Sequence, residues 1–393
     1  MRLLLVTRDF PLPVDAGGVV RLLGLAEALR TRHDVHLVSR ERGPTPPALV
    51  DALRARLDAP VETFPVPERT IARSAPAKAA RWATALRTGE PPWIPEHRSA
   101  PMAARLRELS PDFDAAVILD DMAATYAEDL APLVPAVLDK QNVWGASFAA
   151  GARGPAGAVV LRTVRAYERR TSELAAAVVV TSEREGDRFA EVYGWRPDVV
   201  PSAIPTPEPL AASADAPPHV AWLGDLTYAP NADGLVRFAE EAWAPLGEQG
   251  ARLRVIGRSP SPEVERLGRL PGVDVLGFVP RLEDELRGCA AAVVPLWAGV
   301  GIKMKTLTFL GAGLPTAATP VAMEGIAARD GEAVRIADDP AALADALRAL
   351  LDDRGGAAAL GARGREVVLA DHVWPVVLDR YEAILARAAL GRG

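Results

Sequence analysis

The sequence predicts an α/β protein made of two doubly wound, parallel-sheet domains. Three observations carry that expectation. Short apolar runs of strand length alternate with longer helical patterns from one end of the chain to the other. The 393 residues exceed the roughly 250–300 at which a single core stops growing. A stretch with six prolines, at 201, 205, 207, 209, 217 and 218, interrupts the alternation near the middle of the chain.

In the first half, strands are expected at Leu3–Thr7, Val35–Ser39, Val61–Val66, Ala115–Leu119, Ala136–Asp139 and Ala177–Thr181, with helices such as Val19–Arg30 and Val159–Glu173 between them. The runs are apolar throughout and do not alternate, as in strands covered by helices on both faces. The proline-rich segment 201–218 reads as a linker. After it, strands are expected at Val220–Leu223, Leu253–Ile256, Val273–Leu276, Ala291–Pro295, Thr316–Ala318 and Ala333–Ile336. Helices are expected at Asn231–Leu246, Pro262–Leu270, Lys303–Ala312 and Pro340–Leu351, and two more, Gly356–Ala370 and Trp374–Ala389, close the chain.

Composition excludes several classes. Apolar residues make up 49% and charged residues 24%, as in ordinary globular proteins. The net charge of −6 falls entirely in residues 201–393, since residues 1–200 carry 26 basic and 26 acidic side chains. Neither half is basic enough for a nucleic-acid partner. The basic stretch Arg54–Arg107 reads as a solvated helical surface, with an anionic acceptor or a peripheral membrane contact as the alternative. The single cysteine, Cys289, sits in an apolar run and reads as core. The five histidines are scattered, so no Cys/His metal site is expected. No targeting segment or membrane span is visible, and a cytoplasmic protein is expected.

Chemistry concentrates at strand ends. Of 45 basic residues only four are lysines, at 78, 140, 303 and 305, and two of these fall in Gly299-Val300-Gly301-Ile302-Lys303-Met304-Lys305. That order is strand, glycine turn, basic helix start. Free N–H groups and the positive end of the helix dipole attract anions there, and lysine adds a mobile charge. The run reads as a phosphate or diphosphate clamp, or else as a solvated lysine pair. Gly17-Gly18, after the first strand, opens a helix in the same way but lacks the spaced glycines of a dinucleotide fingerprint. Three further strands end in glycine: Gly224, with Asn231 placed to cap the next helix, then Gly257 followed by Arg258, then Gly277 followed by Phe278 and Val279. Arg258 suits a phosphate or a sugar hydroxyl, and the Phe278 loop suits a flat base. Asp112-Phe113-Asp114 matches a metal-binding Asp-x-Asp but precedes its strand. Asp121, at the C-terminal end of that strand, is the better acceptor-side candidate, or a helix N-cap.

These residues resemble the family-4 retaining glycosyltransferases of GT-B fold, and most of all a bacterial subgroup with Gly-x-Gly-Ile-Lys-x-Lys-x-Leu, then Gly-x-Pro, Thr and Glu-Gly. The matches here are Gly299–Leu307, Gly313-Leu314-Pro315, Thr319 and Glu324-Gly325. The resemblance is strong over 219–390 and weak over 40–200. It implies two Rossmann-like domains facing a central cleft: an acceptor-side domain at 1–205, a donor domain at 206–372, and a last helix at 373–393 crossing back to the first. It puts Gly17, Gly18, Gly301, Ile302 and Lys303 at the donor diphosphate, and Phe278 and Val279 at the base. Asp139–Val143, with Asn142, matches a loop facing the reacting sugar, where Gln141 stands in place of a histidine. The family carries two glutamates eight residues apart around the clamp, the second bonding the ribose. The corresponding residues are Val300 and Thr308. Threonine cannot accept both ribose hydroxyls as a carboxylate does, which leaves weaker donor binding, replacement by Glu324, or an unusual donor. The activity implied is transfer of a sugar from a nucleoside diphosphate sugar to a hydroxyl acceptor, with retention, no metal and no cofactor, in polysaccharide or natural-product assembly. The alternatives are a degenerate nucleotide-sugar-binding protein and a GT-B-fold sugar-nucleotide epimerase.

Overall fold

A computed structural model describes residues 1–12, 17–41, 43, 45–65, 75–210, 217–258, 260–299 and 301–391. Of the positions named above, Val66, Val300, residues 13–16 before Gly17, residues 211–216 of the proline-rich segment and residues 66–74 of the basic stretch lie outside these. The chain forms two compact units, Met1–Pro201 with Val377–Gly393, and Ser202–Val376.

The first unit holds a seven-stranded parallel sheet: β1 (Arg2–Thr7), β2 (Asp34–Arg40), β3 (Val61–Phe64), β4 (Ala115–Leu119), β5 (Ala136–Asp139), β6 (Ala177–Val180) and β7 (Asp198–Val199), in the order β3-β2-β1-β4-β5-β6-β7. Leu3, Leu4, Leu5 and Val6 of β1 and all of β4 are buried, because helices cover both faces. Thr7 pairs with Leu119, and Leu119 with Asp139, so the residues that follow these strands emerge side by side on one edge. The helix Gly17–Arg30 is fixed to that edge by Arg21. Its guanidinium donates to both carboxylate oxygens of Asp139, at 3.0 and 2.8 Å, and to the carbonyls of Val200 and Pro201. The helix Glu183–Tyr193 shows ordinary end chemistry. Ser182 accepts from the Glu185 N–H at its start, and Gly194 at φ 85° closes it.

The second unit holds a six-stranded parallel sheet: β8 (His219–Leu223), β9 (Arg252–Ile256), β10 (Val273–Gly277), β11 (Ala291–Val294), β12 (Thr316–Ala318) and β13 (Arg335–Ile336), in the order β10-β9-β8-β11-β12-β13. Successive side chains go to opposite faces. Val220, Trp222, Val255 and Val293 join one core, and Ala221, Ile256, Ala292 and Val294 the other. Among the described residues no helix is long and apolar enough to cross a membrane.

Three sequence expectations need correcting. The proline-rich segment is not a free linker over its described part. Ile204 bridges to Val373, Leu210 donates to the Ala312 carbonyl, and both side chains are buried in the second unit's core. The expected helix Asn231–Leu246 starts earlier, at Ala229, and its regular part ends at Phe238. A wider π-type turn over Ala239–Trp243 follows, then Ala244–Glu248. Pro245 has no N–H to donate to Glu241, so the regular ladder cannot run through. Asn231 therefore lies inside the first turn and does not cap it. Cys289 is buried, and burial raises its thiol to about 11.

Over its described part the basic stretch is rich in ion pairs: Arg56 with Glu27, Arg81 with Glu96, Arg98 and Arg107 with Asp129, and Arg105 with Glu62.

Replacing Arg21 with alanine strands the buried Asp139 carboxylate. We expect a loss of about 3 kcal/mol or more in denaturant unfolding, the usual cost of breaking a buried pair. Arg21→Lys should recover only part of it, since an ammonium cannot make the bidentate contact. A loss within error for Arg21→Ala would show that this pair does not hold the helix.

Candidate functional site

In both sheets the strand order reverses once, between β1 and β4 in the first unit and between β8 and β11 in the second. Connections leave such a point in opposite directions and open a crevice at the C-terminal strand ends. Most of the residues singled out in the sequence follow the C-terminal ends of these strands.

In the second unit, β8 ends at Leu223 and Gly224, β9 at Ile256, Gly257 and Arg258, and β11 runs into the Gly299–Lys303 turn. Gly299 and Gly301 take φ of 114° and 76°, where side chains are strained, so the turn needs glycine at both positions. Lys303 immediately precedes the helix Met304–Gly311. Its ammonium donates to the Gly301 carbonyl at 2.5 Å and lies 3.6 Å from the Glu324 carboxylate. Thr319 pins the neighbouring loop, accepting from the Leu296 N–H and donating to the Leu296 carbonyl. Ile302 is half-buried between Gly301 and Lys303. The edge thus gathers a helix start, a lysine and two left-handed glycines.

Lys305 is not a surface partner of Lys303. It is half-buried, donates to Asn231 Oδ1 at 2.8 Å and lies over the Trp222 ring at 4.6 Å. A β-carbon on Gly224 would come within 2.7 Å of its ammonium, so Gly224 makes room for the lysine. Burial, with a smaller push from Lys303, lowers the Lys305 pKa to about 7. Asn231 completes the link by donating to the Asp225 carbonyl.

Arg258 lies 3.4 Å from Asp225. Burial works against the Asp225 charge, but hydrogen bonds from Thr227 and Arg258 outweigh it and hold this carboxyl below its ordinary value. Phe278 is 75% exposed and Tyr228 49% exposed, so neither ring serves the core. Val279 packs at the core margin. The Thr308 hydroxyl donates back to the Met304 carbonyl at 3.0 Å within its own helix. Glu324, by contrast, is brought to Lys303.

In the first unit, Gly18 allows a close approach. A β-carbon there would meet Gln141 Oε1 at 2.5 Å, and Gln141 donates to the Gly18 carbonyl. Gly17 begins the helix. Asp121 follows β4 but is 4% exposed, and it pairs with the buried Lys140. Lys140 also contacts Glu168 at 2.8 Å, and Glu168 accepts in addition from the Trp144 and Gly145 N–H groups and the Tyr193 hydroxyl. One ammonium thus serves two buried carboxylates. Burial raises the Asp121 carboxyl above its ordinary value against the opposing pull of Lys140, with the charges of Glu168 and Asp120 adding to the rise. Burial alone would lower Lys140, but the two carboxylates outweigh it and raise it. Asp121 is therefore tied into a positioning network, while Asp120 and Asn142 beside it line a pocket of about 510 Å³. Asp112-Phe113-Asp114 lies at the opposite edge, where Asp114 accepts from the Arg2 N–H.

Sequence reasoning missed Glu168, Tyr193 and the aromatic wall of that pocket. The usable signal was lysine scarcity. Lys140, Lys303 and Lys305 all lie at the two switch-point edges, in a chain that uses arginine nearly everywhere else.

Residues 217–353 match the profile of the family described as Glycosyl transferases group 1. No curated protein matches significantly over the sequence. Solved structures match over the whole chain. HepE of Anabaena, solved with UDP and glucose, is 12% identical at a TM-score of 0.69, covering 98% of this chain and 99% of that one. Sucrose-phosphate synthase of Thermosynechococcus elongatus is 16% identical at 0.70, covering 100% of both. A TarM variant of S. aureus, solved with fondaparinux, alpha-GlcNAc-glycerol and UDP, is 8% identical at 0.70, covering 98% of this chain and 100% of that one. The fold is that of the GT-B glycosyltransferases.

The low Lys305 pKa has a sign that can be tested. Its folded value, about 7, lies below the roughly 10.4 of an unfolded lysine. The unfolded chain therefore binds the extra proton in that window, and stability is lost as pH falls from about 10 toward 7. Lys305→Met should be more stable than wild type at pH 7, with the advantage shrinking toward pH 10 in denaturant titrations. A constant difference across the window would show that Lys305 is charged in the folded protein.

Proposed function

We propose that the protein is a glycosyltransferase that moves a sugar from a nucleoside diphosphate sugar to a hydroxyl acceptor, with retention and without a metal. The observation that carries this reading is the position of the Gly299–Lys303 turn. It lies at the switch point of the second sheet, inside the segment matched by the Glycosyl transferases group 1 profile. Structures of the same fold solved with UDP favour a uridine diphosphate sugar as the donor.

The second unit takes the donor. Its diphosphate replaces the Gly301 carbonyl and Glu324 as the partner of the Lys303 ammonium, and meets free N–H groups at the start of the helix Met304–Gly311. Phe278, exposed at the end of β10, stacks on the base. Glu324, placed beside Lys303, accepts from the ribose in place of Thr308, whose hydroxyl is turned to its own helix. The first unit takes the acceptor at the pocket lined by Asp120 and Asn142.

In the reaction the bond between the anomeric carbon and the diphosphate oxygen breaks, and its electron pair stays on the diphosphate. The acceptor oxygen bonds to that carbon on the same face, and the acceptor proton passes to the diphosphate. The protein's contribution is electrostatic: charge develops on the leaving group where Lys303 and the helix start are already fixed. The same positive groups take the part a divalent cation plays elsewhere.

Lys303→Ala should cut turnover of a UDP-sugar by on the order of 10²-fold, the scale of losing one charge-stabilising donor, and weaken UDP binding in calorimetry. Wild-type turnover should be unchanged by EDTA. Unaltered turnover in Lys303→Ala would remove the clamp from the mechanism, and loss of activity in EDTA, restored by manganese, would replace it with a metal.

A further inference from the structure

The pocket of the first unit has a composition that the donor chemistry does not use. Its volume of about 510 Å³ is that of a small-molecule site. One side is a wall of three half-buried rings. Trp93 and Phe148 stack at 5.4 Å and 17°, and Trp144 tilts against them at 6.4 and 6.1 Å. Trp144 is backed in turn by the buried Tyr167, at 6.3 Å and 24°, so the wall is rigid. Met122 extends the apolar surface.

The polar side is narrow. Among the lining residues, Asp121 is held by Lys140, Gln141 by the Gly18 carbonyl, Arg8 by Asp9, and His97 by Arg40. Asp120 is different. One carboxylate oxygen accepts from the Met122 N–H at 2.7 Å, and no other hydrogen bond to this carboxylate is made among the described residues. Its backbone sits at φ 117°, a strained value for a residue other than glycine, of the kind that persists at functional positions. Burial also raises its carboxyl pKa. A sugar presents hydroxyls around its whole ring and is best held by polar groups on several sides, directly or through water. This pocket offers a flat aromatic face, with the Asp120 carboxylate and the Asn142 amide at its edge.

We propose that the pocket takes a hydroxylated aromatic ring, with the ring against Trp93, Trp144 and Phe148 and its hydroxyl donating to Asp120. The acceptor of the transferase is then a phenol, an assignment that rests on the function proposed above. The aromatic contact supplies affinity through buried area and ring stacking, and the Asp120 hydrogen bond orients the acceptor oxygen in the bound state, before its proton turns to the departing diphosphate.

Binding can be read without donor, by saturation-transfer NMR and calorimetry on the full chain, with p-cresol, its methyl ether and methyl glucoside as probes. The ring of p-cresol should saturate. The methyl ether, which keeps the ring and loses the O–H, should bind about tenfold more weakly, the equivalent of one lost hydrogen bond of ~1.4 kcal/mol. Methyl glucoside should not compete. Trp93→Ala should abolish ring saturation. Asp120→Gly, which relieves the strained φ and so keeps the fold, should reduce p-cresol to the affinity of its ether. The proposal is overturned if methyl glucoside binds in preference to p-cresol, or if p-cresol binds Trp93→Ala and Asp120→Gly as it binds wild type. Sugar transfer to non-aromatic acceptors with no p-cresol binding would likewise refute the pocket while leaving the transferase. Bound p-cresol that no UDP-sugar ever glycosylates would refute the transferase reading of the site and leave the ring-binding pocket standing.

Discussion

A parallel sheet that winds both ways from its first strand must leave a gap where the winding reverses, and both candidate sites of this protein occupy such gaps. The register of β1 with β4, and of β4 with β5, brings Arg8, Asp120 and Lys140 out at one level. The second sheet does the same for Gly224, Gly257 and the turn after β11. The first residues of each loop follow directly from a strand end, so strand hydrogen bonds set where they emerge. A β-carbon on Gly257 would strike the Gly224 carbonyl, which shows how closely adjacent loops meet there. A site built this way changes chemistry by exchange of a few loop residues while the sheet beneath stays constant.

The three lysines at these edges meet burial in three different ways. Lys140 keeps its charge because two carboxylates face it. Lys305, over Trp222 and beside an amide, has no carboxylate in that company, and its proton becomes easy to lose. Lys303 stays at the boundary, leaning on a carbonyl and a carboxylate that an anionic ligand can replace. The ammonium group suits all three because it is compact and its donors rotate, whereas a guanidinium needs a planar partner. Arg21 has such a partner in Asp139.

Most of the fold was legible because its strands are buried on both faces. Ala115–Leu119, Ala136–Asp139 and Thr316–Ala318 have the bounds their apolar runs indicate. What failed to read had causes of two kinds, a local exception to helix geometry and contacts between distant positions. The π-type turn before Pro245 depends on one missing N–H, and the place of Asn231 is set by Asp225 and Lys305. The glycine turn and Lys303 were readable because strand, turn and helix start follow one another in sequence. The aromatic wall joins Trp93 to Trp144 and Phe148, and Lys140 meets Glu168 on a distant helix. No spacing rule links those positions. Only their meeting at a sheet edge gives them a common role.

The central claim is that the nucleotide binds at the switch point of the second sheet. Hydrogen exchange measured with and without UDP tests it most directly. The account predicts slower exchange in 277–279 and 301–307, with 120–122 and 141–145 unchanged. Slowing confined to the loops of the first unit, or no slowing at UDP concentrations that saturate binding in calorimetry, would contradict it.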